Sequence, residues 1–255
     1  TKVSTKQFLY EVIMKEIKPQ KKGTIKEIIY DQLRWEILRE KRKIAEEILS
    51  SLADGNLNGN THGSLARGDV NEESDIDIYL TEYVPSYKVE LLLEKRNYRI
   101  YKKEIIQATP KSSPKVYFYL DSKEKIVVSF PLAKLTKNEY EFYKFGGIAN
   151  YEEILTNKRK KGVDKRLMLI VPTEKGHIEY SIIGREDEVA KELEISINTI
   201  LERKNLLLRR DKIGRTGTFL KVEVYNNQTV EEAALKLISM NWMFKKVMME
   251  RGQIF

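Results

Sequence analysis

The sequence lacks cysteine and has only two histidines, His62 and His177. A disulfide scaffold, a thiol nucleophile and a cysteine-based zinc or iron–sulfur site are therefore excluded, and a histidine-rich metal site is not expected. Apolar runs are short as well, since none approaches the roughly 18–20 residues that a membrane-spanning helix needs. The first residues also lack the apolar stretch of a signal peptide. We therefore expect a cytoplasmic protein without a membrane partner.

Charged residues, in contrast, are abundant. The 255 residues are 33% charged and 41% hydrophobic, and the formal net charge is +8. The apolar share is large enough to fill a core, so extensive disorder is not expected. The length allows one large domain or two small ones. The positive charge favours a polyanionic partner such as nucleic acid, and the sequence specifies no oligomeric state.

The first half of the chain alternates between helix and strand patterns. Apolar residues recur at helical spacing over residues 24–52, which predicts one long amphipathic helix or two abutting helices. Strict alternation from Asp75 to Leu80 predicts a strand. The other elements predicted here are a helix over 89–97 and strands over 99–107, 115–120 and 125–130, the last two joined by a hairpin turn. Two further strands are predicted over 167–172 and 177–183.

The C-terminal part has a different pattern. Residues 186–224 are predicted to form a separate unit of two short helices, with Ser196 as the N-cap of the second, followed by a two-stranded ribbon over 209–216 and 218–224. Helix, turn, helix and ribbon form the layout of a winged helix-turn-helix. The alternative is a small packing domain that does not contact nucleic acid. Helices are predicted over 229–250.

These patterns divide the chain into four segments. They are an N-terminal helical segment (1–52), a core (53–150), a connecting β segment (151–184) and a C-terminal segment (185–255). The predicted fold class is α+β, with N-terminal helices, a small mixed-sheet core and a C-terminal winged-helix-like domain.

Two aspartates follow a turn of small residues. Asp75 and Asp77 alternate with apolar residues on the predicted strand, so both project from the same side of the sheet. Neighbouring carboxylates suit Mg²⁺ or Mn²⁺, since Mg²⁺ takes one or two carboxylates together with substrate phosphates. If a helix begins at Gly63–Ser64, its free N–H groups and the Ser64 hydroxyl can bind a triphosphate. The alternative is that the aspartates end a strand and the turn is an ordinary one.

Three polar residues near this turn have two interpretations each. Arg67 and Ser74 are predicted to brace the loop or to bind the phosphates of a nucleotide. His62 either contacts a phosphate or has a structural role at the end of its strand.

The stretch GSLARGDVNEESDIDIYL, residues 63–80, closely resembles the signature of the DNA polymerase beta-like nucleotidyltransferase superfamily. The resemblance covers roughly residues 40–147. It implies a nucleotidyltransferase core in which Asp75 and Asp77 bind metal and act in catalysis, while Gly63 and Ser64 bind the phosphates of an NTP such as ATP. The whole chain is similar to archaeal predicted nucleotidyltransferases with a C-terminal helix-turn-helix.

The sequence departs from the family pattern at two places. The stretch before Gly63, NLNGNTH, is polar where the family prefers apolar residues. A third carboxylate usually lies on a later strand, and its counterpart here, KIVVSFP, contains no acid. The candidates to replace that carboxylate are Asp121, Glu104 and Glu179.

The segment EFYKFGG, residues 141–147, follows the last predicted strand of the core. Polymerase beta-like enzymes carry an aromatic-aromatic-x-Gly segment beside the incoming sugar, and the resemblance implies that Tyr143, Phe145 and Gly146 line a nucleotide pocket. The alternative is a packed aromatic cluster under a Gly-Gly turn.

Positive charge concentrates in the C-terminal segment. Between residues 203 and 221 the sequence has seven cationic residues and one acid, Asp211. A local patch of this kind is typical of a surface that contacts phosphates, and the alternative is a solvated basic face. The residues predicted to bind nucleic acid are Arg203, Lys204, Arg209, Arg210, Lys212 and Arg215.

Two functions follow from these patterns. The first is a Mg²⁺-dependent enzyme that moves NMP from an NTP to an acceptor hydroxyl, possibly on nucleic acid. The second is a DNA-binding regulator that senses nucleotide through a catalytically weak domain, with residues 197–208 in the major groove. In that case the residues offered to bases or phosphates are Asn198, Thr199, Glu202, Arg203 and Asn205.

Overall fold

The structure is a computed structural model that describes residues 25–225 and 227–252. Predictions for residues 1–24 lie outside the described part. The described chain combines a seven-stranded sheet, a four-stranded sheet and packed helices. This mixed arrangement confirms the predicted α+β class.

The large sheet holds most of the first half of the chain. Its strands, in chain order, are β2 (Gly59–His62), β3 (Ile76–Leu80), β4 (Lys102–Gln107), β5 (Lys115–Tyr119), β6 (Ile126–Pro131), β7 (Ile148–Asn150) and β11 (Leu220–Glu223). Their order across the sheet is β11-β4-β5-β6-β3-β2-β7. β3 and β6 are parallel, and the other paired neighbours are antiparallel. The strands predicted in this half of the chain are confirmed.

A long helix covers one face of this sheet. α1 (Gln32–Asp54) begins at the N-cap Asp31, whose carboxylate accepts a hydrogen bond from the Arg34 backbone N–H. Its apolar stripe, which includes Ile48, Leu49 and Leu52, is buried in the main core together with apolar residues of the large sheet. The small helices α2 (Ser64–Arg67) and α3 (Ser86–Glu94) complete this layer.

The prediction of helix over residues 24–52 is wrong at its start. Residues Lys26–Ile29 form strand β1, which pairs antiparallel with β10 (Gly176–Ser181) of the four-stranded sheet. The physical reason is that Asp31 caps the helix, so that residues before it cannot continue the helix. Ile25 and Ile29 then lie exposed, although their spacing matches the apolar stripe.

The small sheet has the order β1-β10-β9-β8. Its other strands are β8 (Gly162–Val163), β9 (Met168–Thr173) and β10 (Gly176–Ser181), which confirms the two strands predicted between residues 167 and 183. Their apolar residues form a second core cluster that includes Phe145 from α4 (Lys137–Gly146). The short helix α5 (Tyr151–Leu155) connects β7 to this region.

The predicted ribbon of a winged helix is wrong. α6 (Glu186–Glu192) and α7 (Ile197–Ile213) are both helical, and Ser196 caps the second as predicted, but α7 continues through Arg209 and Arg210. Arginine and lysine are good helix formers and are favoured in a last turn, so the helix ends only at Gly214, which has φ +79°. β11 pairs with β4 of the large sheet instead of forming a wing.

The C-terminal helices confirm the prediction over residues 229–250. α8 (Val230–Met240) begins with a capping box between Thr229 and Glu232, and α9 (Trp242–Arg251) begins at Asn241. Phe244 lies in the main core, whereas Trp242 is 69% exposed. No described helix is long and apolar enough to cross a membrane. The four predicted segment boundaries stay predictions.

Candidate functional site

The two aspartates lie at the start of β3. Ile76 and Ile78 are buried in the core, whereas Asp75 is exposed and Asp77 is partly exposed. The alternation predicted for this strand is therefore confirmed, and both carboxylates project from the face opposite the core. In the parallel pair of β3 with β6, Asp77 lies beside Val127.

The two carboxylates repel each other and have no direct partner among the described residues. Burial raises the pKa of Asp75, and the neighbouring charge of Asp77 raises it further. Burial also raises the pKa of Asp77, and Lys165 opposes that shift. Neither carboxylate accepts a hydrogen bond or forms an ion pair within residues 25–225 and 227–252. Two neighbouring carboxylates without partners fit one hard divalent cation.

The turn before these aspartates is open. Gly63 has φ +74° and ψ −143°, a conformation that strains residues with a side chain, and nothing lies within 4 Å of a Cβ built on it. Its N–H donates to the Gly147 carbonyl at 3.1 Å, which fixes the turn. α2 begins at Ser64 as expected, and the first N–H groups of a helical turn have no partner within it.

Arg67 is committed to structural contacts. Its guanidinium is buried, forms a two-bond pair with Asp69 at 3.0 Å for each bond, and donates to the Gly146 carbonyl at 2.7 Å. Of its two predicted roles, these contacts support bracing of the loop. The Ser74 hydroxyl makes its contacts with Asn71, which likewise supports bracing.

The three residues predicted to line a nucleotide pocket contact neighbouring parts of the fold. Tyr143 lies on α4 with its ring stacked on Tyr79 at 3.8 Å between centroids, and Phe145 is buried in the second core cluster. The Gly146 backbone is in close contact with Gly162, since a Cβ added at Gly162 would lie 2.5 Å from the Gly146 carbonyl carbon. These contacts support the packed alternative. The role of the three residues in nucleotide binding stays a prediction.

His62 belongs to an aromatic cluster with Tyr79 and Tyr143. Its ring makes edge contacts with Tyr79, Phe142 and Tyr143 at centroid distances of 5.8, 6.1 and 5.3 Å. Burial, followed by the charges of Arg67 and three other cations, lowers the pKa of His62 to about 3. The imidazole is therefore neutral near pH 7, which supports the structural interpretation.

Two lysines, Lys165 and Lys115, were not predicted from the sequence as part of this region. Lys165 lies in the turn between β8 and β9, and its charge acts on both aspartates. Lys115 on β5 is oriented toward the same side as Asp77, where its Nζ donates to the Tyr143 hydroxyl at 2.8 Å. Alternation along β5 could have indicated Lys115, whereas no local signal indicates Lys165.

None of the three candidates for a third carboxylate contacts the aspartate pair. Asp121 accepts hydrogen bonds from backbone N–H groups of its own hairpin. Glu104 pairs with Lys102 and Lys221 at 2.9 and 3.1 Å, and Glu179 pairs with Arg166 in the small sheet. The described residues contain no group of three acidic or histidine side chains able to hold a metal ion.

The predicted basic patch divides into two parts. Arg203 turns inward, with its Cζ 4.3 Å from the centroid of the Phe142 ring, and its Nε is buried without a hydrogen-bond partner among the described residues. Lys204 pairs with Glu186 at 2.6 Å. The remaining members are exposed at the end of α7 and in the loop after it: Arg209, Arg210, Lys212 and Arg215. These four residues are called the cationic end of α7 below.

The cationic end of α7 is a concentration of like charge. Burial lowers the pKa of Arg210, and the neighbouring charges of Arg215 and Arg209 lower it further. Described acids form no ion pair with these residues. An exposed group of unpaired cations can bind phosphates.

Comparison with protein families gives one match. Residues 38–133 match the family model described as the nucleotidyltransferase domain. The match spans α1 through β6, and it confirms the resemblance to polymerase beta-like nucleotidyltransferases over this segment. No curated protein and no solved structure matches the chain significantly. The relation of the C-terminal part to archaeal helix-turn-helix proteins stays a prediction.

Proposed function

We propose that the protein transfers NMP from an NTP to an acceptor hydroxyl with Mg²⁺ or Mn²⁺, since residues 38–133 match the model of the nucleotidyltransferase domain. The observation that carries this proposal is the pair of unpartnered carboxylates, Asp75 and Asp77, near an open Gly63–Ser64 turn. The nucleotide is ATP or another NTP, since the described contacts offer no feature that selects one base.

The proposed step is an in-line displacement at the α-phosphorus. The acceptor oxygen forms a bond to phosphorus as the bond to the bridging oxygen of the β-phosphate breaks. Pyrophosphate leaves with the electron pair of that bond, and the hydroxyl proton passes to solvent water. When bound, the divalent cation supplies a Lewis acid that stabilises the charge on the phosphate oxygens.

The chain's own residues have separate tasks in this proposal. Asp75 and Asp77 hold the cation, while the Ser64 hydroxyl and the N–H groups at the start of α2 bind phosphate oxygens. Arg67 keeps the turn in place through Asp69 and the Gly146 carbonyl. The open space beside Gly63 leaves room for a phosphate close to the backbone.

The cationic end of α7 favours nucleic acid as the acceptor. Its exposed arginines and lysine have no acidic partners among the described residues, so they are free to contact phosphates. Such contacts position a nucleic acid without reading its sequence.

The regulator remains a second candidate because one observation favours it. Val127 and Ser129 occupy the strand where the family carries its third carboxylate, so no described acid completes the site. A site of this kind can bind nucleotide while transferring NMP slowly or not at all.

The two candidates differ in whether label is transferred. We would incubate the full chain with α-labelled ATP, Mg²⁺ and oligonucleotide acceptors, and measure label on the acceptor. If the protein is an enzyme, label is transferred, and we expect the rate of transfer to fall at least about a hundredfold in Asp77→Asn. That is the range seen when an electrostatic transition-state contact is lost. The control is Asp187→Asn, which neutralises an exposed acid on α6.

Binding separates the outcomes further. Calorimetric titration with ATP and Mg²⁺ gives binding under both candidates, and binding without transfer supports the regulator. Equal rates of label transfer in wild type and in Asp77→Asn would contradict the proposal that Asp77 acts in an enzyme.

A further inference from the structure

Lys165 is held beside the Gly63–Ser64 turn by close backbone packing. Gly162, three residues before it, packs against Gly146, and the Cβ position of Gly146 lies 3.9 Å from the Gly63 backbone. The Lys160 N–H donates to the Ala66 carbonyl at 3.0 Å, which attaches the same segment to α2. The loop that carries Lys165 is therefore fixed beside the turn proposed to bind phosphate.

The turn that contains Lys165 is itself rigid. The Leu167 N–H donates to the Asp164 carbonyl at 3.1 Å, and the Asp164 N–H donates to the Met168 carbonyl at 3.0 Å. Asp164 also pairs with Arg166 at 2.7 Å, so the only described acid beside Lys165 in the turn is occupied. Lys165 is left with an exposed side chain and no hydrogen bond or ion pair within the described residues.

Lys165 differs from the two other lysines near the aspartates. Lys41 donates to the Ser74 carbonyl at 2.6 Å, and Lys125 pairs with Glu73. Both act electrostatically on Asp75, whereas Lys165 acts on Asp75, Asp77 and His62. Of these three lysines, Lys165 is thus the one whose ammonium has no partner among the described residues.

The donor set suits one divalent cation better than two. A two-metal site shares several carboxylates between its ions, and here Val127 and Ser129 stand where a third acid is expected. One divalent cation neutralises the pair of carboxylates. No third acid of the described residues lies beside the pair to be shared with a second ion.

We propose that Asp75 and Asp77 hold a single divalent cation and that the Lys165 ammonium supplies the second positive charge toward the triphosphate. This inference rests on the proposed function, since it concerns the same nucleotide site. Lys165 is a phosphate-binding residue in this arrangement, and it reaches the site from the small sheet rather than from residues 38–133.

The test counts metal ions in the full chain. We would titrate Mn²⁺ by electron paramagnetic resonance with a non-hydrolysable NTP analogue present, and measure the affinity for the analogue by calorimetry. Wild type is expected to bind one Mn²⁺ per chain. Lys165→Met is expected to keep that count and to bind the analogue about tenfold more weakly, a change of about 1.4 kcal/mol.

Matched variants separate charge at this position from charge in general. Lys175→Met removes an exposed lysine from the other turn of the small sheet and is expected to bind as wild type does. Lys165→Asp introduces an acid at the turn and is expected to bind a second Mn²⁺ with the analogue. Thermal unfolding of each variant shows that it is folded.

The outcomes distinguish this inference from the proposed function. Two Mn²⁺ ions in wild type, or equal analogue affinity in Lys165→Met and Lys175→Met, overturn the inference and leave the function intact. Wild type that binds neither Mn²⁺ nor the analogue overturns both.

Discussion

Residues 63–80 and residues 186–224 differ in the range of the contacts that determine their structure. In the first region the turn, short helix and strand follow one another within 18 residues, and the aspartates alternate on one strand. In the second region, β11 pairs with β4, more than 100 residues earlier in the chain. A local motif therefore predicts the first region, whereas the second depends on a partner that its own sequence does not identify.

The regions also differ in packing. Around residues 63–80, guanidinium groups and glycines fill the space between backbones, as at Arg67 and Gly162. From Arg209 to Phe219, in contrast, every residue is exposed. In the proposed function, the first region positions a small ligand, and the second presents charge to a large one. The following four predictions test this contrast, beginning with the largest expected effect.

Arg67→Met is expected to destabilise the fold by about 3–5 kcal/mol, because it leaves the buried Asp69 carboxylate without its partner. The matched change, Arg96→Met, removes an exposed pair with Asp54 and is expected to cost less than about 1 kcal/mol. Urea unfolding of both variants measures the difference. Equal losses would show that the Arg67 pair contributes no more than a surface contact.

Gly162→Ala is expected to cost about 1–3 kcal/mol, because the added Cβ would lie 2.5 Å from the backbone of Gly146. Gly217→Ala is the control, since nothing lies within 4 Å of a Cβ at that position, and it is expected to change stability by less than about 0.5 kcal/mol. The free energy of unfolding of each variant is compared with wild type. If both variants lost the same stability, the close packing of the loop would be contradicted.

Arg209→Ala combined with Arg210→Ala is expected to weaken nucleic-acid binding by about tenfold or more at low salt. The slope of log affinity against log salt should fall by roughly 1.4–1.8, which corresponds to two lost phosphate contacts. The control, Lys236→Ala with Lys245→Ala, removes the same charge from exposed positions on α8 and α9. An equal change in both double variants indicates an effect of net charge rather than of the cationic end of α7.

His62→Gln is expected to reduce the loss of stability in acid. Burial lowers the pKa of His62 to about 3 in the folded protein, from its ordinary value of 6.5, so between these pH values the unfolded state binds more protons. Wild-type stability therefore falls as the pH decreases through this window, by up to about 1.4 kcal/mol per pH unit from this residue. Unfolding free energies of wild type and variant at pH 6.5 and 5.5 measure it, and parallel curves would contradict the assignment.

Most of the main sheet could be predicted from the sequence because its strands alternate and its turns have recognisable residues. Asp121, for example, caps the hairpin between β5 and β6 with its own side chain. The start of the chain's first described helix could not be predicted, since isoleucines at helical spacing also occur on β1, an edge strand whose partner β10 lies about 150 residues later. The secondary-structure propensity of the β1 residues does not reveal such a partner.

The candidate site also contains some residues that could be predicted from the sequence and others that could not. Asp75, Asp77, Gly63 and Ser64 were predictable because their spacing within one strand and one turn determines their geometry. Lys165 was not, because it approaches from a different sheet. Arg203 shows the limit of counting charge along the sequence, since it belongs to the basic stretch but stacks on Phe142 in the interior. Its orientation depends on the packing of α7 against α4.

The contact between α7 and α4 bears on the size of the ligand that α7 can bind. Glu141 accepts hydrogen bonds from the Ser196 N–H and the Thr199 hydroxyl, so the beginning of α7 is attached to the aromatic cluster. From Ser196 to Arg210 the helix rises about 20 Å, at 1.5 Å per residue. A single nucleotide is too short to reach across that distance. For the proposed nucleic-acid acceptor, contact with both ends of this helix therefore requires at least a short oligonucleotide.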